Sequence, residues 1–284
     1  MQKKTAGKNK IILHVLLACH NRKEKTISCL RALRRQRGLP KEMKIETTLF
    51  DDGSTDGTAN AVRREKLADQ IKRGDGNYYW CGAMRTLIKG VAGEEKDFIV
   101  LLNDDTILER DALARLVQTW KWACSGKAKE AIVTGATSST DHSTTTYGGY
   151  IKKTKWHPFR YQLVKPGPKP LPCYTINGNC VLIPKSTMER LGGLDEHFTH
   201  SFGDIDLGLR ASKFKIPIWV APGYVGLCDD NKPPSKDRPF SQKWKALWSP
   251  KGLPPLEQLY FSRKHGGFFW PYFWLSSIVR WLIR

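Results

Sequence analysis

The stretch KDFIVLLNDDT, residues 96–106, holds the clearest pattern in this 284-residue chain. Its central residues 98–102 are all apolar, which predicts a short strand buried on both faces of a parallel sheet. Asn103, Asp104 and Asp105 follow at once. Side chains of these types often form a solvated turn, and they are also the oxygen ligands that a hard divalent cation prefers. The stretch therefore predicts either a turn or a cation site at the end of a central strand.

Strand and helix patterns alternate on both sides of that stretch. Apolar runs predict strands at 11–18 and 44–50, and apolar residues at helical spacing predict helices at 26–37 and 110–122. Such alternation is typical of an α/β protein with a parallel sheet covered by helices on both faces. Further predicted elements are an edge strand at 70–72, helices at 82–91, 186–191 and 204–213, and a strand at 173–184.

Polar clusters follow three of the predicted strands, at 20–22, 51–56 and 103–105. In open α/β sheets ligands bind beyond the carboxyl ends of the strands, so we expect these clusters to converge on one crevice. The chain lacks the glycine-rich dinucleotide signature and the Walker phosphate loop. An ordinary dinucleotide or ATP site of those kinds is therefore excluded.

The composition is strongly basic. Lysine and arginine number 47 against 27 acidic residues, for a formal charge of +20. Such an excess favours nucleic acid, an anionic membrane surface or phosphorylated small molecules as partners, and composition does not choose among them. The seven cysteines show no paired zinc-type spacing, which predicts reduced thiols in a cytoplasmic protein.

Several motifs occur in a fixed order: DDGSTDGT at 51–58, LLNDDT at 101–106, NGNCVLIP at 177–184, GGLDE at 192–196 and FGDIDLGLR at 202–210. In this order and spacing the chain resembles the family 2 glycosyltransferases of the GT-A fold, and among them the bacterial rhamnosyltransferase-like branch. The resemblance covers about residues 10–230. It implies an α/β fold with a mostly parallel central sheet flanked by helices.

The resemblance implies transfer of rhamnose or another hexose from a dTDP-, UDP- or GDP-linked donor to a glycan or glycolipid hydroxyl, in lipopolysaccharide, capsule or other surface polysaccharide synthesis. Asn103 and Asp105 match the outer positions of the family's Asp-x-Asp motif, which implies a Mg²⁺ or Mn²⁺ ion there. For Asp51 and Asp52 a glycine-containing turn is the alternative role. The positions that the resemblance assigns to the donor nucleotide sugar are Ala18, His20, Arg22, Asp51, Asp52, Trp80, Asn103 and Asp104.

An acceptor hydroxyl needs a base to remove its proton. Asp204 matches the family's catalytic base, although Gly203 replaces the usual Glu before it, and Asp206 is the second candidate. The alternatives are a helix N-cap for Asp204 and a pair with Arg210 for Asp206. A single base opposite the leaving group implies inversion. Where many relatives have a metal-binding His this chain has Cys228, so that residue or Asp229 substitutes, or the position is unused.

The chain is predicted to consist of a disordered basic tail at 1–10, a catalytic domain at 11–228 and a C-terminal extension at 229–284. The donor half of the catalytic domain is 11–106 and the acceptor half is 107–228. Residues 268–284 suit an amphipathic helix on an anionic leaflet at the inner face of the cytoplasmic membrane. Packing on the enzyme, or on a partner subunit of a homodimer, is the alternative. A helix from Tyr272 places Trp274, Ile278 and Trp281 on one face, and Ser277, Arg280 and Arg284 on another.

Two other function classes compete with this interpretation. A nucleic-acid-binding module would use the basic charge and the interleaved aromatic residues, but it has no use for Asp51, Asp105 or Asp204. A nucleotidyltransferase on a similar sheet needs a glycine-rich basic phosphate loop early in the chain, and residues 18–23 do not supply one. The sequence therefore favours a glycosyltransferase, and no nucleic-acid partner is expected.

Overall fold

The computed structural model describes residues 10–126, 128–154, 156–230 and 239–283, so most of the predicted tail at 1–10 lies outside the described residues. The strands are Ile11–Cys19 (β1), Met43–Asp52 (β2), Gln70–Gly74 (β3), Phe98–Leu102 (β4), Ile107–Leu108 (β5), Ile132–Ser138 (β6), Thr145–Tyr147 (β7), Gly149–Lys152 (β8), Tyr161–Leu163 (β9), Leu171–Cys173 (β10), Thr175–Ile176 (β11), Cys180–Pro184 (β12) and Ile218–Leu227 (β13). The helices are Lys23–Arg34 (α1), Thr58–Arg64 (α2), Tyr79–Lys89 (α3), Ala112–Ala123 (α4), Lys185–Arg190 (α5), Gly203–Lys213 (α6), Phe240–Trp248 (α7), Pro255–His265 (α8) and Trp270–Ile283 (α9).

The main sheet has the strand order β10-β13-β6-β12-β4-β1-β2-β3, with β5 on β13 and β7 on β6. Strands β4, β1, β2 and β3 are parallel to one another, and β12 is inserted antiparallel between β4 and β6. β11, β8 and β9 form a small separate sheet. The predicted α/β fold with a mostly parallel central sheet is confirmed, with β12 as the main antiparallel strand in its middle.

β4 occupies the middle of this sheet, as its apolar run predicts. All five of its residues are buried, because β1 pairs on one side, β12 pairs on the other and helices cover both faces. On β1, Leu13, Val15 and Leu17 pack in the core with α1, α2 and α4. Leu16 points to the opposite face and packs with α3, α5 and α6. The alternation along β1 therefore serves two separate apolar cores.

Two predicted elements differ most from those in the structure. The helix predicted at 26–37 begins at Lys23 and ends at Arg34, and the Arg37 N–H donates to the carbonyl of Arg110 instead of continuing the helix (2.7 Å). The strand predicted at 173–184 is divided among β10, β11 and β12, because the chain bends at Tyr174 and residues 177–179 turn between β11 and β12. In that turn the Asn179 N–H donates to the Asn177 side chain (3.3 Å). Side chains of this turn enter the candidate site.

The C-terminal helices α7, α8 and α9 form a unit attached to α6. Phe261 of α8 stacks on Phe202 at the start of α6, with ring centroids 4.9 Å apart. α9 is joined to this unit by two indole N–H groups, Trp274 to the Pro255 carbonyl (3.0 Å) and Trp281 to the Lys243 carbonyl (3.3 Å). Across the described residues, the helices are all too short or too polar to cross a bilayer.

Candidate active site

The loop after β1 contacts the loop after β2. Asn21 donates its backbone N–H to Ser54 Oγ (3.0 Å) and accepts from the Thr55 N–H (2.8 Å). His20 Nδ1 lies 2.5 Å from the carbonyl oxygen of Asp52. Ala18, just before this loop, lies opposite Phe50 in the β1–β2 register. The first two strand-end clusters therefore form one surface.

Arg22 connects the same loop to the end of β4. One of its terminal nitrogens donates to Asp104 Oδ1 (3.0 Å) and the other to Asp105. Thr26 Oγ1 donates to the second oxygen of Asp104 (3.0 Å), whose residue is only 3% exposed. Burial raises the pKa of Asp104 to about 6, against the opposing charge of Arg22. The structure thus brings all three strand-end clusters together at the carboxyl ends of β1, β2 and β4.

Asp51 and Asp52 are both buried, but their oxygens are used differently. Asp52 accepts the N–H groups of Gly76 and Tyr79, at 2.9 Å each, one on each oxygen. Asp51 accepts the Ser54 N–H through Oδ1 (2.9 Å), whereas no residue in the described part of the chain hydrogen-bonds to its Oδ2. Asp52 therefore holds the loop after β3 in place, and Asp51 keeps one buried acceptor atom unused.

Replacing Asp52 by alanine should loosen the loop at 75–79. The change leaves the N–H groups of Gly76 and Tyr79 without their acceptor, at a cost of about 1–3 kcal/mol for each orphaned donor. We expect faster amide hydrogen exchange in this loop, measured by mass spectrometry, and a lower free energy of unfolding. The control is Asn77→Ala, since Asn77 is an exposed residue of the same loop. Equal exchange in the two variants would contradict the anchoring role of Asp52.

Trp80 links the end of β4 to the start of α6. Its indole N–H donates to Asn103 Oδ1 (2.9 Å), and a Cβ placed on Gly178 would lie 2.5 Å from its ring. The Gly178 N–H in turn donates to Asp204 Oδ2 (2.8 Å). Because Tyr79, which Asp52 holds, is the residue before Trp80, a continuous set of contacts runs from the end of β2 to Asp204.

Asp204 lies inside the first turn of α6 and not at its N-cap. The helix begins at Gly203, and the N-cap residue is Phe202, with a φ of +69°. The N-cap alternative for Asp204 is therefore wrong. Its second oxygen accepts the Ile205 N–H (2.8 Å), so the carboxylate is held by two backbone donors. Burial raises the pKa of Asp204, while these donors act in the opposite direction.

Asp206 is fully buried and is contacted by three side chains, two of them cationic. Arg210 Nε donates to one oxygen (2.7 Å), and His265 Nε2 and Lys264 Nζ lie 2.8 and 2.7 Å from the other. The expected pair with Arg210 is confirmed. Burial alone would raise the pKa of Asp206, but the His265 hydrogen bond and the Arg210 charge bring it below the usual value. Asp206 therefore joins α6 to α8, which favours a structural role.

Asp206→Asn should lower the free energy of unfolding by about 3–5 kcal/mol, because it leaves the largely buried Arg210 without its counter-charge. The control is Asp111→Asn, since Asp111 also pairs with an arginine four residues on but is 62% exposed. That variant should lose less than about 1 kcal/mol. The pKa of Asp206 is lower in the folded state than in the unfolded state, where it is about 4. The stabilisation is therefore present above that pH and is lost as the pH falls through the folded-state pKa. Urea unfolding at pH 7 and pH 3 measures both effects, and equal losses in the two variants would contradict them.

Cys228 lies beside Asp105. Its thiol donates to Asp105 Oδ1 (3.5 Å) and accepts from the Asn179 side chain (3.4 Å). Burial raises the pKa of this thiol to about 12, so it is protonated at neutral pH. Asp229 instead accepts the N–H and hydroxyl of Thr140 (2.8 and 2.9 Å). Of the two residues considered for the position of the family's histidine, Cys228 is thus the one in contact with Asp105.

The protein donors fit a divalent ion only in part. Among the described residues there is no group of three or more His, Cys, Asp or Glu arranged to hold a metal. Asn103 accepts from Trp80 and donates to Asn179 (2.9 Å each), so its amide is already engaged. Mg²⁺ is usually held by one or two carboxylates together with substrate phosphates. Asp105 fits that arrangement, as the carboxylate for an ion that a bound diphosphate also coordinates.

Asn179 is a site residue that motif reasoning did not single out. It is 1% exposed, and it accepts the Asn103 backbone N–H with its carbonyl (3.1 Å) while its side chain contacts both Asn103 and Cys228. Its position in the NGNCVLIP motif was the available signal. It connects the end of β4 to the end of β13.

A groove of about 450 Å³ lies elsewhere, along the first halves of β1, β2 and β3 and the end of α3. Its lining includes His14, Lys44, Glu46 and Lys72, and it contains none of the predicted site residues. The candidate site is therefore defined by its convergent side chains and not by this cavity.

Comparison with known sequences identifies related proteins. The family described as "Glycosyl transferase family 2" matches residues 14–183, which is more than half of the chain. A curated relative from Mycobacterium tuberculosis, N-acetylglucosaminyl-diphospho-decaprenol L-rhamnosyltransferase, is 25% identical over 202 residues. That match covers 62% of this chain and 63% of the relative, so the chain spans less than two thirds of the relative's length.

Solved structures resemble the whole architecture. The mannosyltransferase PcManGT from Pyrobaculum calidifontis, in complex with GDP-Man and Mn²⁺, has a TM-score of 0.55 at 18% identity, over 88% of this chain and 64% of that one. GalNAc-T7 with UDP, GalNAc and Mn²⁺ has a TM-score of 0.57 at 12% identity, over 76% and 43%. S. aureus TarS 1-349 has a TM-score of 0.55 at 13% identity, over 88% and 65%. At these identities the likeness shows the fold, and it confirms the predicted GT-A architecture.

Proposed function

The chain belongs to glycosyl transferase family 2, and we propose that it transfers rhamnose or another hexose, with inversion, from a nucleotide-diphosphate sugar to a hydroxyl of a glycan or lipid-linked saccharide. One observation carries this proposal. Acidic side chains that are far apart in sequence, Asp52, Asp105 and Asp204, belong to one connected set of contacts at the carboxyl ends of the parallel strands. Ligands of open α/β sheets bind at that end.

We place the nucleoside of the donor at the ends of β1 and β2. The buried Oδ2 of Asp51 has no hydrogen-bond partner among the described residues, and a ribose hydroxyl or a base N–H would satisfy it. His20 lies beside Asp52, and Ala18 lies one residue before β1 ends, so both border this position. A dTDP-, UDP- or GDP-linked sugar would satisfy these contacts.

The donor diphosphate would lie next to Asp105. A Mg²⁺ or Mn²⁺ ion held there would offset the negative charge of the leaving diphosphate. Asp105 would hold the ion, and Asn103, whose amide is engaged by Trp80 and Asn179, stays the second predicted ligand. Asp104 is held by Arg22 and Thr26, so we assign it the orientation of Arg22 and a contact with the ribose or with metal-bound water.

Asp204 is the proposed base that takes the proton of the acceptor hydroxyl. The N–H groups of Gly178 and Ile205 fix the orientation of its carboxylate, and burial raises its pKa, which makes it a stronger base than an exposed aspartate. Trp80, which packs on Gly178, would border both the donor and the acceptor. A single base opposite the leaving group accounts for inversion at the anomeric carbon.

We further propose a lipid-linked acceptor and action at the inner face of the cytoplasmic membrane, in surface polysaccharide synthesis. The curated relative is named for a diphospho-decaprenol acceptor, and the strongly basic charge suits both an anionic leaflet and a phosphorylated acceptor.

A donor hydrolysis screen tests the proposal most directly. Purified protein is incubated with dTDP-rhamnose, UDP-GlcNAc, UDP-glucose and GDP-mannose, each with Mn²⁺, Mg²⁺ or EDTA, and nucleoside diphosphate release is measured. We expect one donor to be consumed, and only in the presence of a divalent ion. Failure to consume any donor, together with tight salt-dependent binding of RNA or DNA, would favour the nucleic-acid alternative.

A further inference from the structure

One face of α9 has no partner within the described chain. Tyr272, Leu275, Val279 and Ile283 are 67%, 57%, 46% and 77% exposed. At spacings of three, four and four residues they lie along one side of the helix, and we call them the outer stripe. The opposite side holds the helix to the protein through the indoles of Trp274 and Trp281, as described above.

More exposed apolar residues lie elsewhere in the C-terminal helical unit. Phe268 and Phe269, immediately before α9, are 90% and 66% exposed. On α7, which packs against α9, exposed aromatic residues recur every four positions with ring centroids 6.0–6.2 Å apart: Phe240, Trp244 and Trp248. A continuous exposed apolar stripe such as the one along α9 marks an interaction site in a folded protein.

The positive charge of the C-terminal segment favours an anionic lipid surface as the partner. Residues 239–284 contain seven lysines and arginines and one acid, Glu257. Pairing this surface with a second copy would bring together two chains with a formal charge of +20 each, which repel one another. An anionic lipid surface attracts the same residues, and aromatic side chains are suited to its headgroup region.

The length of α9 indicates how the helix would lie on a membrane. α9 has 14 residues and is about 21 Å long at 1.5 Å per residue, which is shorter than the roughly 30 Å of a bilayer's hydrocarbon core. Its inner side is also bound to α7 and to the first residue of α8. The helix can therefore lie in the membrane surface while its inner side stays on the protein.

We propose that the outer stripe, with Phe268 and Phe269, docks the enzyme onto an anionic membrane surface. This inference rests on the proposed function, because docking would bring the enzyme to a lipid-linked acceptor. The docking unit is joined to the site through α8, whose Lys264 and His265 contact Asp206 on the same helix as Asp204. The proposed base and the docking helix thus belong to one packed unit.

Vesicle co-sedimentation tests the proposal with the full chain. Binding of the wild type and of the Leu275→Gln/Val279→Gln double variant is compared on two kinds of vesicle. One is neutral POPC, and the other is POPC with about 30% anionic POPG. The control is Trp156→Gln, since Trp156 is 93% exposed and lies outside the C-terminal helices. We expect wild type and control to bind the anionic vesicles, and the double variant to bind at least about tenfold more weakly.

Three outcomes would overturn the inference. The first is equal binding by wild type and the double variant, with unchanged circular dichroism. The second is equal binding to neutral and anionic vesicles, which would show that the positive charge of the protein does not contribute to membrane binding. The third is a wild-type dimer in analytical ultracentrifugation that the double variant abolishes, with no vesicle binding, which assigns the stripe to a second copy. Donor hydrolysis in the same samples tests the proposed function separately, because it requires no membrane.

Discussion

Asp204→Asn is expected to reduce kcat/KM for sugar transfer by about 10²–10⁴-fold, the usual contribution of general base catalysis. The amide keeps the size of the carboxylate but cannot take the acceptor's proton. Binding of the nucleoside diphosphate should change little, because Asp204 lies on the proposed acceptor side. Steady-state kinetics and calorimetric titration of the nucleotide measure the two effects. The control is Glu196→Gln, since Glu196 is an exposed carboxylate eight residues earlier.

The same residue predicts a pH dependence. Burial raises the pKa of Asp204 above its usual 3.8, and only the deprotonated form can act as a base. The value of kcat/KM should therefore fall as the pH is lowered through that raised pKa. The residual activity of Asp204→Asn should not show this decrease at low pH. An asparagine variant with near-normal turnover would remove Asp204 from the role of base.

Asp105→Asn is expected to reduce turnover by at least about 100-fold, because the site loses the carboxylate proposed to hold the ion at the leaving diphosphate. Arg22 keeps its second partner, Asp104, so the fold of the loop should survive. A measurement that does not depend on turnover is the affinity for Mn²⁺ together with a nucleoside diphosphate, followed by electron paramagnetic resonance. We expect weaker Mn²⁺ binding in the variant.

Asp229→Asn is the matched control for Asp105→Asn. Asp229 is an exposed acid next to Cys228, but its carboxylate accepts hydrogen bonds from Thr140 and not from the site. We expect its Mn²⁺ affinity and turnover to match wild type. If Asp229→Asn lost Mn²⁺ and Asp105→Asn did not, the assignment of the ion to Asp105 would be incorrect.

The sequence predicted some parts of the candidate site and left others open. The three strand-end clusters were located correctly because each follows an apolar strand, and strand ends of a parallel sheet share one edge. The choice between a base and an N-cap for Asp204 was open, since both roles place an aspartate at the start of a helix. The left-handed Phe202, which ends the preceding loop and occupies the N-cap position, removed the second role. Sequence spacing carries no signal for that backbone conformation.

The structure of the C-terminal helix was also predicted only in part from the sequence. Periodicity placed Trp274 and Trp281 on one face, and that grouping holds. Which face turns inward depends on acceptors elsewhere in the chain, the carbonyls of Pro255 and Lys243, so the pattern left both a packed and a membrane-facing helix open. In the structure the tryptophan face is packed and the outer stripe is exposed.

Elements whose signals are local were therefore readable from the amino acids alone. The buried strand at Phe98–Leu102 follows from five consecutive apolar residues, because burial on both faces requires each of them to be apolar. Contacts across the fold were not readable in this way. The Arg22–Asp105 pair joins residues 83 apart and the Cys228–Asp105 contact residues 123 apart, and both depend on how β1, β4 and β13 are ordered in the sheet. Strand order is set by the packing of the whole core, which no short segment encodes.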